Sequence, residues 1–294
     1  MAINFMDTEF YKQNLNKEVS GRQINDNANN ATFYRFFNEN LTERDITYKI
    51  GLNKDMVKFN PNGRNEMNKI YITDKNNISQ FLYFNNNLAN IRIPDDARCY
   101  LERGKIKCDM FIIESIKSIE NHELTKDVIF CLNMVKNRGI CVRFINKEML
   151  ENNTNICLTS VKQNGDSIKY IDKTILENNI DICLEAVKQK GTSVQHIDNV
   201  LLINNVDICL EAVKQNCDSI QYIDKKILEN NINVCLEAVK NGGHTIKYIN
   251  KRILENNINI CMEAVKHYGE SIQFIDNKLL ANNINICMEA IIAR

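Results

Sequence analysis

From about residue 125 onward the apolar positions follow two nested periods. Around Cys183, the residues Ile180, Cys183, Leu184 and Val187 fall at i, i+3, i+4 and i+7. After a break, Val194, Ile197, Leu201 and Leu202 fall at i, i+3, i+7 and i+8. Each set draws one stripe along a helix. The whole phrase then recurs, with cysteines at 131, 157, 183, 209, 235, 261 and 287, always 26 residues apart and without insertion. Such repetition predicts a solenoid in which every unit buries its apolar face against its neighbours. Each repeat should read helix, tight turn, helix, tight turn. Gly191 is placed to end the first helix in a left-handed cap. Ser193 should cap the second helix, as should Ser167, Ser219, Thr245 and Ser271 in their own repeats. Asn178 and Asn179 close one repeat and open the next, because asparagine accepts turn and cap geometry.

Upstream the pattern changes. Lys69–Thr73 and Leu88–Ile93 read as short strands, Asn62-Gly63 as a turn, and Ile78–Phe84 as a short helix. Asp109–Ile119 fits a strand or a helix leading into the array. Residues 1–30 are polar and asparagine-rich, which predicts partial disorder. Both prolines, Pro61 and Pro94, precede the repeats. The expected fold class is therefore α+β: a polar segment (1–30), a mixed α/β module (31–120) and an all-α solenoid (121–294). Thr125 is the expected cap of the first repeat helix.

Composition narrows the function. The chain has 294 residues, with 37 Lys plus Arg balanced by 37 Asp plus Glu. Zero net charge argues against a general nucleic-acid binder, which needs basic excess to match phosphates. The N-terminus lacks a basic segment followed by an apolar run, and no stretch approaches the roughly 18 apolar residues that span a bilayer. The expectation is a cytoplasmic protein without membrane contact. The eleven cysteines form no C-x-x-C pair, and His122, His196, His244 and His267 do not keep step with them, so no metal or cofactor is expected. Stacked helices sit about 8–10 Å apart, beyond the ~7 Å reach of a disulfide. The ladder cysteines are predicted to be reduced and buried.

Equivalent positions down the array separate frame from surface. Phe144, Tyr170, His196, Tyr222, Tyr248 and Phe274 put a ring in every repeat; these rings either line a partner groove or pack at the seams. Lys136, Lys162, Lys188, Lys214, Lys240 and Lys266 form a constant column. Glu185, Glu211, Glu237 and Glu263 stand three residues before the later ones, ready for pairing on a solvated face. Positions just after the rings vary, and Lys173, Lys225 and Lys251 there are candidate partner contacts. Ile292 replaces lysine in the constant column, and Ile291 takes the preceding valine position. That end is expected to be covered by a second copy or a partner, unless Ile292 folds back on Leu279 and Leu280. A non-enzymatic protein-interaction scaffold is the leading reading, with no catalytic residue assigned. The alternatives are an enzymatic N-terminal module, using Tyr48, Asn53, Asp55 and Tyr71, with the solenoid recruiting substrate, and a structural component of a virion.

Two resemblances add to this. Ala186-Val187-Lys188-Gln189 and its equivalents resemble a helical repeat of unknown function found in giant amoebal viruses and some intracellular bacteria, over about 125–294. Cys217 departs from it by occupying a glycine position. Tyr48–Asp55, Phe59–Gly63, Ile70–Thr73, Ile91–Ala97 and a turn at Lys105–Cys108 resemble the N-terminal module of mimivirus-type ankyrin-repeat proteins. That module has Cys-x-x-Gly-Gly where this chain has Asn65–Lys69. Together the resemblances imply a giant-virus protein placed in the host cytoplasm or the virion, with no established activity.

Overall fold

The computed structural model of the chain describes residues 4–29, 31–43, 46–54, 59–60, 70–82 and 86–293. It divides into two compact units, residues 1–137 with 144–146, and residues 138–143 with 147–294. The class is α+β, as the two sequence patterns predict.

The first unit is built on antiparallel strands: β1 (Glu18–Ser20), β2 (Phe33–Phe37), β3 (Thr42–Glu43), β4 (Ile46–Thr47), β5 (Gly51–Lys54), β6 (Ile70–Ile72), β7 (Asn87–Arg92), β8 (Arg98–Glu102), β9 (Lys105–Cys108) and β10 (Met110–Ser118). One sheet has the order β1-β8-β9-β6, a second β2-β7-β10-β5, and β3 pairs with β4. A single bridge between Tyr34 and Thr73 links the edges of the two larger sheets. Phe33, Leu101, Ile106 and Phe111 are fully buried in its core. The expected strands at 69–73 and 88–93 correspond to β6 and β7, and Asp109–Ile119 resolves as strand. Ile78–Phe81 is a short 3-10 helix. Lys105–Cys108 is a strand; the turn precedes it at Arg103-Gly104, where Gly104 takes φ 73°. The Asn62-Gly63 turn lies outside the described residues. Within the polar N-terminal stretch, Glu9–Gln13 and Gly21–Asn27 are helices, and its few apolar residues are used in the core, with Phe5 and Ile24 fully buried.

The second unit is a solenoid of 26-residue two-helix repeats. In one repeat a ten-residue helix, Ile180–Gln189, is followed by a 3-10 turn, Gly191–His196, and a six-residue helix, Asn199–Asn204. The apolar stripe explains the packing: Ile182, Cys183, Ala186 and Val187 are all fully buried. The capping differs from expectation. Glycines with positive φ among the described residues are Gly51 and Gly104, so the repeat glycines are not left-handed caps. They are there for close approach. A Cβ on Gly165 would lie 2.5 Å from the carbonyl oxygen of Ala186 and 2.7 Å from Ser193 Oγ, both in the next repeat. The Gly165 N–H donates to Gln189 Oε1 at 2.6 Å, and the same bond joins Gly139 to Gln163 and Gly191 to Gln215. Ser167, Ser193, Ser219, Thr245 and Ser271 are fully buried at these seams rather than capping a helix. The caps are Asp172, Asp198, Asp224, Asn250 and Asp276, each accepting a backbone N–H of the short helix it precedes. Asn179 closes the short helix as expected, its Nδ2 donating to Ile175 O at 2.8 Å.

Cys217 opens its 3-10 turn as a glycine does elsewhere: Asn216 precedes it with φ −149°, as Lys190 precedes Gly191 with φ −151°. The room comes from the neighbouring repeat. Gly242 stands where other repeats have Asn164, Lys190 or Tyr268, and a Cβ there would be 2.7 Å from Cys217 Sγ. Asn241 also replaces the seam glutamine, its side chain turning to Glu237.

Candidate functional site

In the N-terminal unit a pocket of about 240 Å³ is lined by Tyr34, Arg35, Glu43, Tyr71, Lys105 and neighbouring apolar residues. The buried Arg35 guanidinium is ion-paired to Glu43 and donates to the Tyr71 carbonyl at 2.5 Å. Lys105 lies 4.1 Å from the centre of the Tyr71 ring and 3.1 Å from the Glu102 carboxylate. Burial, with Glu102 adding to it, pushes the Tyr71 phenol up to about 12. Of the four residues proposed for an enzymatic module, Tyr71 alone lines this pocket. Tyr48 is buried in the core beneath Arg35 and packs edge-on against Phe37. Asn53 folds onto its own loop, accepting from Lys49 N at 2.9 Å and donating to Lys49 O at 2.7 Å. Asp55 lies outside the described residues. Each cation here already faces a carboxylate, so the pocket offers neither a free charge nor a nucleophile–base pair. Arg35, Glu43 and Lys105 carried no sequence signal, because β9, which brings Lys105, is far along the chain from β2 and β3, which carry the other two.

The solenoid presents its variable positions to solvent. Tyr222 and Phe274 are 40% and 39% exposed, and Tyr170, His196 and Tyr248 are half-buried. Shallow grooves run beside the exposed rings. One, of about 450 Å³, is lined by Asn199 and Gln221 to Lys226. Its counterpart two repeats on, of about 440 Å³, includes Lys251, Phe274, Asp276 and Asn277. Burial pulls the His196 imidazole below its ordinary value, more than Asp166 lifts it.

Lysines after the rings tie neighbouring repeats together. Lys147 reaches Asp172 at 3.0 Å, Lys173 reaches Asp198 at 3.1 Å, and Lys251 reaches Asp276 at 2.9 Å. Each also faces a glutamate four residues ahead, Glu151, Glu177 or Glu255. These partners hold the Asp172 carboxyl down to about 2, after its own bonds to Thr174. Lys225 makes no ion pair among the described residues. In the constant lysine column, Lys188 and Lys214 pair with Glu185 and Glu211 at i,i+3, and Lys162 reaches Glu185 across a seam. These three lysines are paired on an exposed face.

On the final helix, Ile284, Met288, Ile291 and Ile292 form an exposed apolar stripe, with Ile292 75% exposed. Ile292 therefore does not fold back on Leu279 and Leu280. The ladder cysteines are free thiols, buried from Cys131 to Cys261 and half-buried at Cys287; Cys217 is half-buried as well. Burial pushes Cys157, Cys209 and Cys235 up to about 12. No group of three or more His, Cys, Asp or Glu among the described residues could hold a metal ion. No helix among them is long and apolar enough to cross a membrane.

Comparison with known proteins agrees with this division. The model of a domain of unknown function (DUF4116) matches residues 127–176, 153–202, 179–228 and 205–254, windows that advance by one repeat. No curated protein and no solved structure matches the chain. The giant-virus reading does not stand. The matched family falls on the repeats and brings no viral assignment. The N-terminal unit is a mixed α/β assembly of antiparallel sheets rather than a module of the ankyrin-repeat type.

Proposed function

We propose that this chain is a non-enzymatic scaffold or adaptor that binds other proteins in the cytoplasm through the exposed face of its solenoid. One observation carries the reading. Glycine, serine, glutamine and cysteine columns are consumed by stacking, while half-exposed rings and changing side chains stand in register beside grooves on the outside. A rigid frame carrying variable surface positions is how repeat proteins present a binding face. Self-association through the stripe of Ile284, Met288, Ile291 and Ile292 belongs to the same reading, and a doubled mass in light scattering would reveal it. The test of partner binding is quantitative affinity purification of the full chain beside the variant Lys173→Glu, Lys225→Glu, Lys251→Glu. Specific partners should be depleted on the variant while its helical circular dichroism is unchanged. Equal recovery of every partner would count against the solenoid face.

A further inference from the structure

One repeat of the array departs from the surface pattern at three positions at once. In the short helices, the first position is Lys147, Lys173, Lys225 and Lys251, but Asn199 in this repeat and Asn277 in the last one. The second is Glu148, Thr174, Lys226, Arg252 and Lys278, but Val200 here. The fifth is Glu151, Glu177, Glu229 and Glu255, but Ile203 here and Ala281 in the last helix. Three charged or polar positions of a six-residue helix are thus neutral at once, and Val200 and Ile203 are 58% and 56% exposed. The frame does not require this change, since the buried Leu201 and Leu202 keep the seam unaltered. Scattered exposed aliphatics are ordinary. Here they coincide with the loss of both partners of an ion-pair ladder.

The consequences reach the next repeat. Without a lysine at 199, Asp224 has no partner across the seam and serves only as a cap, accepting from Lys226 N at 2.8 Å. Asn250 replaces the aspartate that Lys225 would otherwise meet, and its side chain turns to Glu229 at 3.1 Å. Lys225 and Lys226 are therefore cations without ion pairs among the described residues. Asn199, Tyr222, Asp224, Lys225 and Lys226 all line the groove of about 450 Å³. The helix that carries the apolar pair thus starts, at Asn199, on the edge of a groove that holds a half-exposed ring and two unpaired ammonium groups against one carboxylate.

We infer that this break, centred on Val200, Ile203, Tyr222 and Lys225, is the docking point for a peptide segment of a partner protein. The segment carries an aliphatic or aromatic anchor and, within a few residues, an aspartate or glutamate. The apolar pair and ring take the anchor, and the local positive excess selects the carboxylate. The inference rests on the scaffold reading and assigns it a place and a ligand chemistry.

The test is selection of a random twelve-residue peptide library on the immobilised full chain. A second arm uses the variant Asn199→Lys, Val200→Lys, Ile203→Glu, which returns the helix to the pattern of its neighbours. Restored pairs to Asp224 and within the helix should leave the variant's melting temperature equal to or above that of the wild type, so loss of folding cannot mimic loss of binding. Enriched peptides should combine an apolar anchor with an acidic residue and bind the variant at least about tenfold more weakly. Lys225→Ala should weaken acidic peptides and spare neutral ones. Peptides that bind the variant equally well would place docking elsewhere, overturning this inference while leaving the scaffold reading intact. Failure to enrich any peptide would overturn it too, with the scaffold reading still judged by affinity purification. A wild-type dimer in light scattering that the variant abolishes would make the occupant a second copy and refute a peptide partner.

Discussion

The two units hold themselves together over different distances along the chain. In the N-terminal unit Glu18 pairs with Tyr100, and Tyr34 with Thr73. In the solenoid each tie spans about one repeat, from Gly165 to Gln189 or from Lys173 to Asp198. Glycine shows the same contrast. Gly51, at φ 96° with nothing within 4 Å of a Cβ, is required by backbone conformation. Gly165 has ordinary backbone angles and is required by the neighbour pressed against it. A residue type therefore has no fixed meaning until the distance of its contacts is known.

The largest effect that would break this comparison is in thiol chemistry. Labelling of the native chain at pH 8 should be at least about 100-fold slower at Cys183, Cys209 and Cys235 than at an ordinary thiol of pKa about 8.5, since burial holds them near 11 to 12. Cys217 and Cys287, half-buried, should react first. Because the folded chain keeps these thiols protonated, their contribution to stability is intact below about pH 8.5 and declines as pH rises towards their raised values. Urea titrations across that range would register the decline. Fast labelling of the three buried thiols would mean that the repeats do not stack as described.

Next come the glycines. Gly165→Ala drives a methyl into Ala186 O and Ser193 Oγ and should cost about 3 kcal/mol, as overpacked sites do. Gly51→Ala meets no atom and should cost about 1–2 kcal/mol from its positive φ alone. Thermal denaturation of both variants ranks them. A reversed order would show that the solenoid seams yield more easily than the close approaches imply.

The same difference in contact distance governs what could be read from the sequence. The solenoid, its period and the burial of Cys183, Ala186 and Val187 were legible, because repetition averages away local noise and each contact lies one period away. The roles of glycine and serine were misread as caps; a seam contact and a helix end demand the same small residues in the same places. The glutamine column carried a visible signal, since Gln163, Gln189 and Gln215 recur with the glycines they bind. In the N-terminal unit β6 and β7 were visible as short strands, but the pairing of β2 with β7 and the gathering of Arg35, Tyr71 and Lys105 had no local trace. Lys173, Lys225 and Lys251 are equivalent in the sequence, yet Lys173 and Lys251 are paired across seams and Lys225 is not. That distinction depends on Asn250 standing where an aspartate would be needed.

The central claim is that partners engage the solenoid rather than the N-terminal sheets. Lysine-directed cross-linking of the full chain with its purified partners, read by mass spectrometry, tests it most directly, because reactive lysines are spread over both units. The account predicts partner cross-links concentrated at Lys225 and Lys226, with Lys173 and Lys251 next. Cross-links confined to Lys12, Lys17, Lys49 and Lys105 would contradict it and make the N-terminal unit the binding element.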